Sequence, residues 1–462
     1  LGTRQGRAHP LRTLIKDSFL QPPPAQKTLA VFNLTKTAHP HTLEETLNAV
    51  ANHPEWTNCA GCSLDSSERV CPIAENRRRI LGESDSRLLS RRLGDLVEIA
   101  KLNGAHLPVR DLLALAANMI LGHESAREGL MSCSDVARIQ QAGEMELGSV
   151  YGNVFGANLP RRRALSRPVF RAMASFGVGD ETSNAADGLL VYGADDSRLT
   201  ESFGRMVGSD PVYGATDAFL ASQRQYLEGD EGARLENGAA DFLQRLQSQR
   251  RRLFFTLPEN EPGFHYWDLT AFRFAGDYLE TIRTLSDRKP IAEPVRARIT
   301  RGLNRVLSGL LLENTDKIFI ASSGGFTNSK ISVLCDSEIP ARRAPGGIGM
   351  ALRMDEQSRR PRIDISITHS ARGQVSLALS PVRFEFLCRV AEGALPGSFS
   401  NESLEDLMAF KARLLRHAEI SRMASPDEEE PISDDGTLSL NFIEIGHDGH
   451  GFSKPIAVRV GA

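Results

Sequence analysis

Cys59, Cys62 and Cys71 are the residues whose type and spacing point most directly to chemistry. Two thiolates two residues apart can wrap one tetrahedral ion, and a third nearby continues the shell. Zinc is the expected metal, because it prefers sulfur and brings no redox chemistry of its own. A fourth ligand is required. Cys133 is the first choice, since it lies just past a helical segment that should fold back over the loop. His53 and His123 are the alternatives. A closed four-ligand site is architectural, with no open position for water. Two other readings compete with it, a set of reduced buried thiols and a redox Cys-x-x-Cys pair. Cys335 and Cys388 sit in apolar runs and read as core residues.

Other chemistry is tested by motif. The chain has no G-x-x-x-x-G-K-[ST] loop, no G-x-S-x-G elbow and no H-E-x-x-H pair. Ser322 to Lys330 resembles a phosphate loop only superficially; its spacing is wrong, and it reads as a hairpin turn. Gly346-Gly347-Ile348-Gly349 reads as a loop. His447-Asp448-Gly449-His450 reads as a solvated turn, and Asp268 as a helix N-terminal residue. No catalytic residue is assigned.

Basic clusters occur at Arg77-Arg78-Arg79, Arg161-Arg162-Arg163 and Arg250-Arg251-Arg252. Each reads first as a solvated face and second as a phosphate track. Arg298, Arg301 and Arg305 share one side of an expected helix. Their other side is apolar, so the stripe should face solvent or a partner, DNA being one candidate and pairing with nearby acids the competing one.

These residues are set in 462 positions, 41% apolar and 24% charged, with a net charge of −3 and six cysteines. Such proportions suit packed cores and exclude a disulfide scaffold. No apolar run reaches the ~18 residues of a membrane span, and no signal peptide is recognisable. A soluble, cytoplasmic protein is expected. The first residue is Leu1, so the natural N-terminus is expected upstream.

The elements that must carry the residues follow from periodicity. Leu29 to Leu34 reads as a buried strand. Thr42-x-x-Glu45 should open a helix through Val50. Leu88, Leu89, Leu93, Leu96, Val97 and Ala100 recur at helical spacing, with a stop at Gly104. Val109, Leu112, Leu113, Ala116 and Ile120 form a second apolar face that begins near Pro108 and ends at Gly122. Residues 142–215 are Gly-rich and irregular, with short helices. Helices return at 217–227, 231–252, 266–285 and 294–312. Beyond residue 316 the pattern turns to strands, near 317–320, 331–334, 363–367 and 375–379. Helices at 381–392 and 401–419 follow, then an acidic loop at 427–435 and strands at 438–443 and 455–460. The predicted class is α+β: mostly helical N-terminal and middle regions with a Cys-rich zinc loop, then a strand-rich C-terminal domain.

On three features the chain resembles AAA+-type P-loop ATPases, and more narrowly the DNA-phosphorothioation-dependent restriction ATPases of bacterial phage defence. The first is the block Trp56…Cys59-x2-Cys62…Cys71-Pro72. The second is Val109-Arg110-Asp111, where such lids place a sensor arginine. The third is the stretch Arg383-Phe384-Glu385-Phe386-Leu387. The resemblance implies the end of an ATPase core at 1–35 and a helical lid with a Cys-rich insertion at 36–141. It implies a helical middle domain at 142–315 and a mixed α/β domain at 316–462. Arg110 would contact the nucleotide. ATP and Mg2+ would bind only with a core upstream of Leu1, where the Walker motifs would lie. The implied role is the regulatory and coupling portion of a DNA-directed ATPase, with other defence proteins as partners and an oligomer allowed. A zinc-stabilised scaffold or nucleic-acid-binding protein is the alternative.

Overall fold

The structure is a computed structural model. It describes residues 42–308 with short gaps at 67–68, 83–86, 182–183, 229–237, 260, 262 and 264. It also describes 348–354, 361–369, 373–394 and 406–413, and strand pieces at 317–318, 331–333, 339–340, 437–440, 442–446, 449–452 and 456–459. The strand expected at Leu29 to Leu34, Cys335, the Ser322 to Lys330 stretch and the acidic loop at 427–435 lie outside these residues.

Helix α1 (Thr42–Ala51) starts at the residue that carries the capping pattern and buries Leu43, Leu47 and Ala51. Helix α2 (Pro72–Leu81) has Pro72 in its first turn, where a missing N–H costs nothing, and stops at Gly82 in the left-handed conformation. Helix α3 (Arg87–Leu102) turns Leu89, Leu93, Leu96, Val97 and Ala100 inward. Helix α4 (Val109–Leu121) runs between the predicted Pro108 and Gly122. Its buried face is Leu112, Leu115, Ala116, Met119 and Ile120, whereas Leu113 is exposed. The apolar spacing alone could not choose between the two sides of Leu112. Helix α5 is Cys133–Ala142.

The Gly-rich stretch folds into short helices: α6 (Val150–Asn153), α7 (Arg161–Ser166), α8 (Pro168–Ala174), α9 (Asn184–Tyr192) and α10 (Thr200–Phe203). Buried side-chain amides fasten α6 and the turns around it, while α8, α9 and α10 bury short apolar sets such as Val169, Phe170 and Met173, Leu189 and Leu190, and Phe203. Asn153 donates to the carbonyls of Met119, Gly122 and Gly148, and Asn118 and Asn158 bond each other. Helix α11 (Asp217–Glu228) leads to α12 (Gly238–Thr256). Helix α12 buries Phe242, Leu246, Leu253, Phe254 and Phe255. Full burial stabilises by roughly 1.5–3 kcal/mol for each such side chain, which makes α12 the centre of the helical part.

Helices α13 (Ala275–Ser286) and α14 (Glu293–Ser308) complete the helical region. Then come β1 (Lys317–Ile318), β2 (Ile331–Val333), β3 (Ile339–Pro340), β4 (Ile348–Met354), β5 (Pro361–His369) and β6 (Gly373–Leu379). Helix α15 (Pro381–Ala391) precedes β7 (Thr437–Leu440), β8 (Phe442–Gly446), β9 (Gly449–Phe452) and β10 (Ile456–Arg459). Strands β4, β5 and β6 form an antiparallel sheet with Ile365 opposite Met350 on one side and Leu377 on the other. Ile348 and Gly349 pair with Ile367 and Ser366, so this part of the expected glycine loop is strand. Ile363 and Ile365 are buried where the sheet meets α13. Helices α14 and α15 cross closely: a Cβ at Gly302 would stand 2.2 Å from the Leu387 carbonyl oxygen, so only glycine fits. Glu385 accepts the Arg273 and Phe274 backbone N–H groups at 3.0 and 2.8 Å, which joins α15 to the start of α13. The chain is therefore mostly helical with antiparallel strands late in the sequence, as the α+β reading expects.

Candidate metal centre

The cysteine loop is built by local devices. A single 3-10 helix spans Pro54–Cys59 beyond α1, and the Trp56 indole Nε1 donates to the Val50 carbonyl at 2.8 Å. Arg77 of α2 donates to the Ala51 carbonyl at 2.6 Å and stacks over the Trp56 ring. After Cys59 the backbone turns through Gly61, whose φ is +71°, a conformation a side chain would strain. The Cys62 N–H then bonds the Cys59 carbonyl at 3.2 Å, closing a tight turn between the first two thiols.

Cys71 and Cys133 arrive from elsewhere. Cys71 is the N-cap residue of α2, and Cys133 is the first residue of α5. Both thiols thus stand at helix N-termini, where unpaired N–H groups and the helix dipole favour negative charge. The start of α5 is fixed by Asp135, whose carboxylate accepts the Ser132 N–H at 2.9 Å and its hydroxyl at 2.6 Å. Gln140 of α5 then donates to the carbonyls of Leu64 and Val70 at 3.0 and 2.8 Å, clamping the helix over the loop.

The outcome is one pocket whose wall carries Cys59, Cys62, Cys71 and Cys133, backed by Trp56, Leu64, Ile73, Leu121 and Met131. All four are free thiols. Burial pushes the Cys59 thiol up, the Cys133 and Cys62 thiols push it further, and Arg77 opposes them. Burial also raises Cys71, against the pull of the Ala74 and Ile73 N–H groups. Ionised together, such thiols repel one another, and a dication is what would relieve them. As they stand, no three His, Cys, Asp or Glu side chains among the described residues are arranged to hold a metal ion.

The alternative ligands are occupied elsewhere. His53 is exposed and accepts the Glu55 N–H through Nδ1. His123 is fully buried; its Nε2 meets the Glu144 carbonyl at 2.9 Å and its Nδ1 meets Ser125, and burial lowers its pKa. Arg110 is exposed on the first turn of α4. Asp268 takes the helix N-terminal position expected of it, accepting the His265 N–H at 2.8 Å.

The clusters at Arg77 to Arg79 and Arg250 to Arg252 behave differently from either sequence reading. Arg78 pairs with Asp65 and Glu75, and Arg79 with Glu75 and, through both Nη atoms at 3.0 Å, with Asp210. Arg250 pairs with Asp187, Arg251 bonds the Val178 carbonyl, and Arg252 bonds Gln249 and the Met206 carbonyl. Consecutive helical residues point ~100° apart, so a triplet reaches three neighbours and cannot form one patch. That geometric rule was the available signal. Of Arg161 to Arg163, only the side chain of Arg162 is described, and it is exposed. The Arg298, Arg301 and Arg305 stripe is half-buried, not turned to solvent. Arg298 pairs with Asp277 of α13 and stacks on Phe274.

No described helix is long and apolar enough to cross a membrane. No protein-family model matches the chain, and no curated protein or solved structure is significantly similar to it.

Proposed function

We propose that the chain is a helical coupling module stapled by a structural zinc ion on Cys59, Cys62, Cys71 and Cys133. The observation that carries this reading is the meeting of four thiols from three separate stretches on one pocket wall. Four thiolates leave zinc no open position, so the ion would tie α1, α2 and α5 together and do no catalysis. Binding displaces thiol protons, so affinity falls as pH falls. Reduced thiols suit a cytoplasmic setting. Cobalt substitution tests the ligand set. Full chain loaded with Co2+ should show the intense visible bands of a tetrahedral thiolate site, and Cys133→Ser should weaken and shift them. Identical spectra in the two proteins would remove Cys133 from the site.

The wider reading places this module in a DNA-directed ATPase of bacterial antiphage defence, as its regulatory and coupling portion. Its support is Arg110, exposed on the first turn of α4 while the opposite face of that helix packs inward. A guanidinium so placed can reach a phosphate presented by another domain. ATP with Mg2+ would then be a ligand of the larger assembly. In the longest natural form of the protein, Arg110→Ala should lower ATP turnover tenfold or more and leave zinc content unchanged. Equal turnover in the two forms would end the sensor assignment.

A further inference from the structure

Asp65 stands on the wall of the pocket that holds the four thiols, yet its carboxylate is already committed. One oxygen, Oδ1, accepts the Cys71 N–H at 3.0 Å and Arg78 Nη2 at 3.3 Å; the other, Oδ2, accepts Arg78 Nη1 at 2.9 Å. The Asp65 backbone N–H in turn donates to the Cys62 carbonyl at 3.1 Å. One residue therefore grips the main chain of two thiol-bearing positions, Cys62 through its backbone and Cys71 through its side chain. Arg78 braces the carboxylate from α2, and Glu75 steadies Arg78 at 3.0 Å. Burial works against the charged form, but the Arg78 guanidinium and the Cys71 N–H together hold the Asp65 carboxylate below its usual range.

We propose that Asp65 is a positioning residue for the metal centre: it sets the separation of Cys62 and Cys71 and thereby the affinity for the ion. The inference rests on the zinc reading. Groups that orient metal ligands from behind change affinity by ~10–100-fold when removed, without changing the number of ions bound. Asp65 acts here through the Cys71 N–H rather than by ligation.

The experiment is a zinc titration of the full chain against a chromogenic chelator, in wild type, Asp65→Ala and Asp65→Asn. Wild type should bind one zinc. Asp65→Ala should still bind one zinc at saturation, ~10–100-fold more weakly. Asp65→Asn keeps an acceptor for the Cys71 N–H and should recover part of the loss, a rescue that general loosening of the fold would not give. Should Asp65→Ala fail to fold, Asp65→Asn still carries the test, since losing the charge pair with Arg78 must weaken binding measurably. Zinc bound by wild type and both variants with one affinity overturns the inference and leaves the metal centre standing. No zinc bound by wild type overturns both.

Discussion

At the scale of single residues, the helical part depends on buried cations placed against carbonyls. Arg92 is fully buried; it donates to the Phe254 carbonyl at 2.6 Å and to the Leu257 carbonyl, with its guanidinium 3.9 Å from the Tyr266 ring centre. Those carbonyls end α12, where the last C=O groups have no partner within the helix. Burial pulls the Arg92 pKa down to about 10, still well above neutrality. Arg92→Met should therefore cost about 2–4 kcal/mol, since two buried acceptors lose their donor. Urea denaturation measures it, and a change under 1 kcal/mol would mean that the carbonyls find other partners. Nothing in the sequence singles out Arg92. It stands beside Arg91 on an amphipathic helix, and local spacing cannot tell which of two adjacent arginines turns inward. The cysteines were legible for the opposite reason: Cys59-x2-Cys62 is a local pattern whose turn needs only Gly61. Cys133 was legible because the helix that precedes it had to return over the loop.

At the scale of elements, periodicity located the long helices and the β5–β6 pair, where one face is apolar and the other is not. It placed no individual element within residues 142–215, because those helices are too short to show a repeat, and the segment around α6 is held by Asn76, Asn118 and Asn158, whose partners lie 29 to 74 residues away. Helix α3 carries a testable consequence of such packing. Asp95 is largely buried there, and burial raises its pKa to about 6, against the pull of Arg283 3.6 Å away. A raised carboxylate pKa gives stability that is full below the unfolded value of 3.8 and is lost as pH rises through about 6. The charged form thus costs on the order of 2–3 kcal/mol at pH 8. Asp95→Asn should raise the melting temperature at pH 8 and leave it unchanged at pH 4. Because Arg283 is mostly exposed, the lost ion pair offsets little of this gain. A variant less stable than wild type at pH 8 would show that Asp95 is held charged by its partner.

At the scale of the whole molecule, the cysteine loop is bound to the centre of the helical part through a continuous set of ion pairs. Asp65 joins Arg78, Arg78 joins Glu75, Glu75 joins Arg79, and Arg79 meets Asp210 beside Arg252 of α12. Loss of a metal at the loop would therefore loosen α2 first and disturb the seat of α12 next. The central claim is that four thiols hold one zinc, and total metal analysis of the full chain purified under reducing conditions tests it most directly. The account predicts one zinc per chain, lost in Cys62→Ser together with the stability of residues 50–135. A folded wild-type protein with no stoichiometric zinc, or with iron and sulfide in its place, would contradict it.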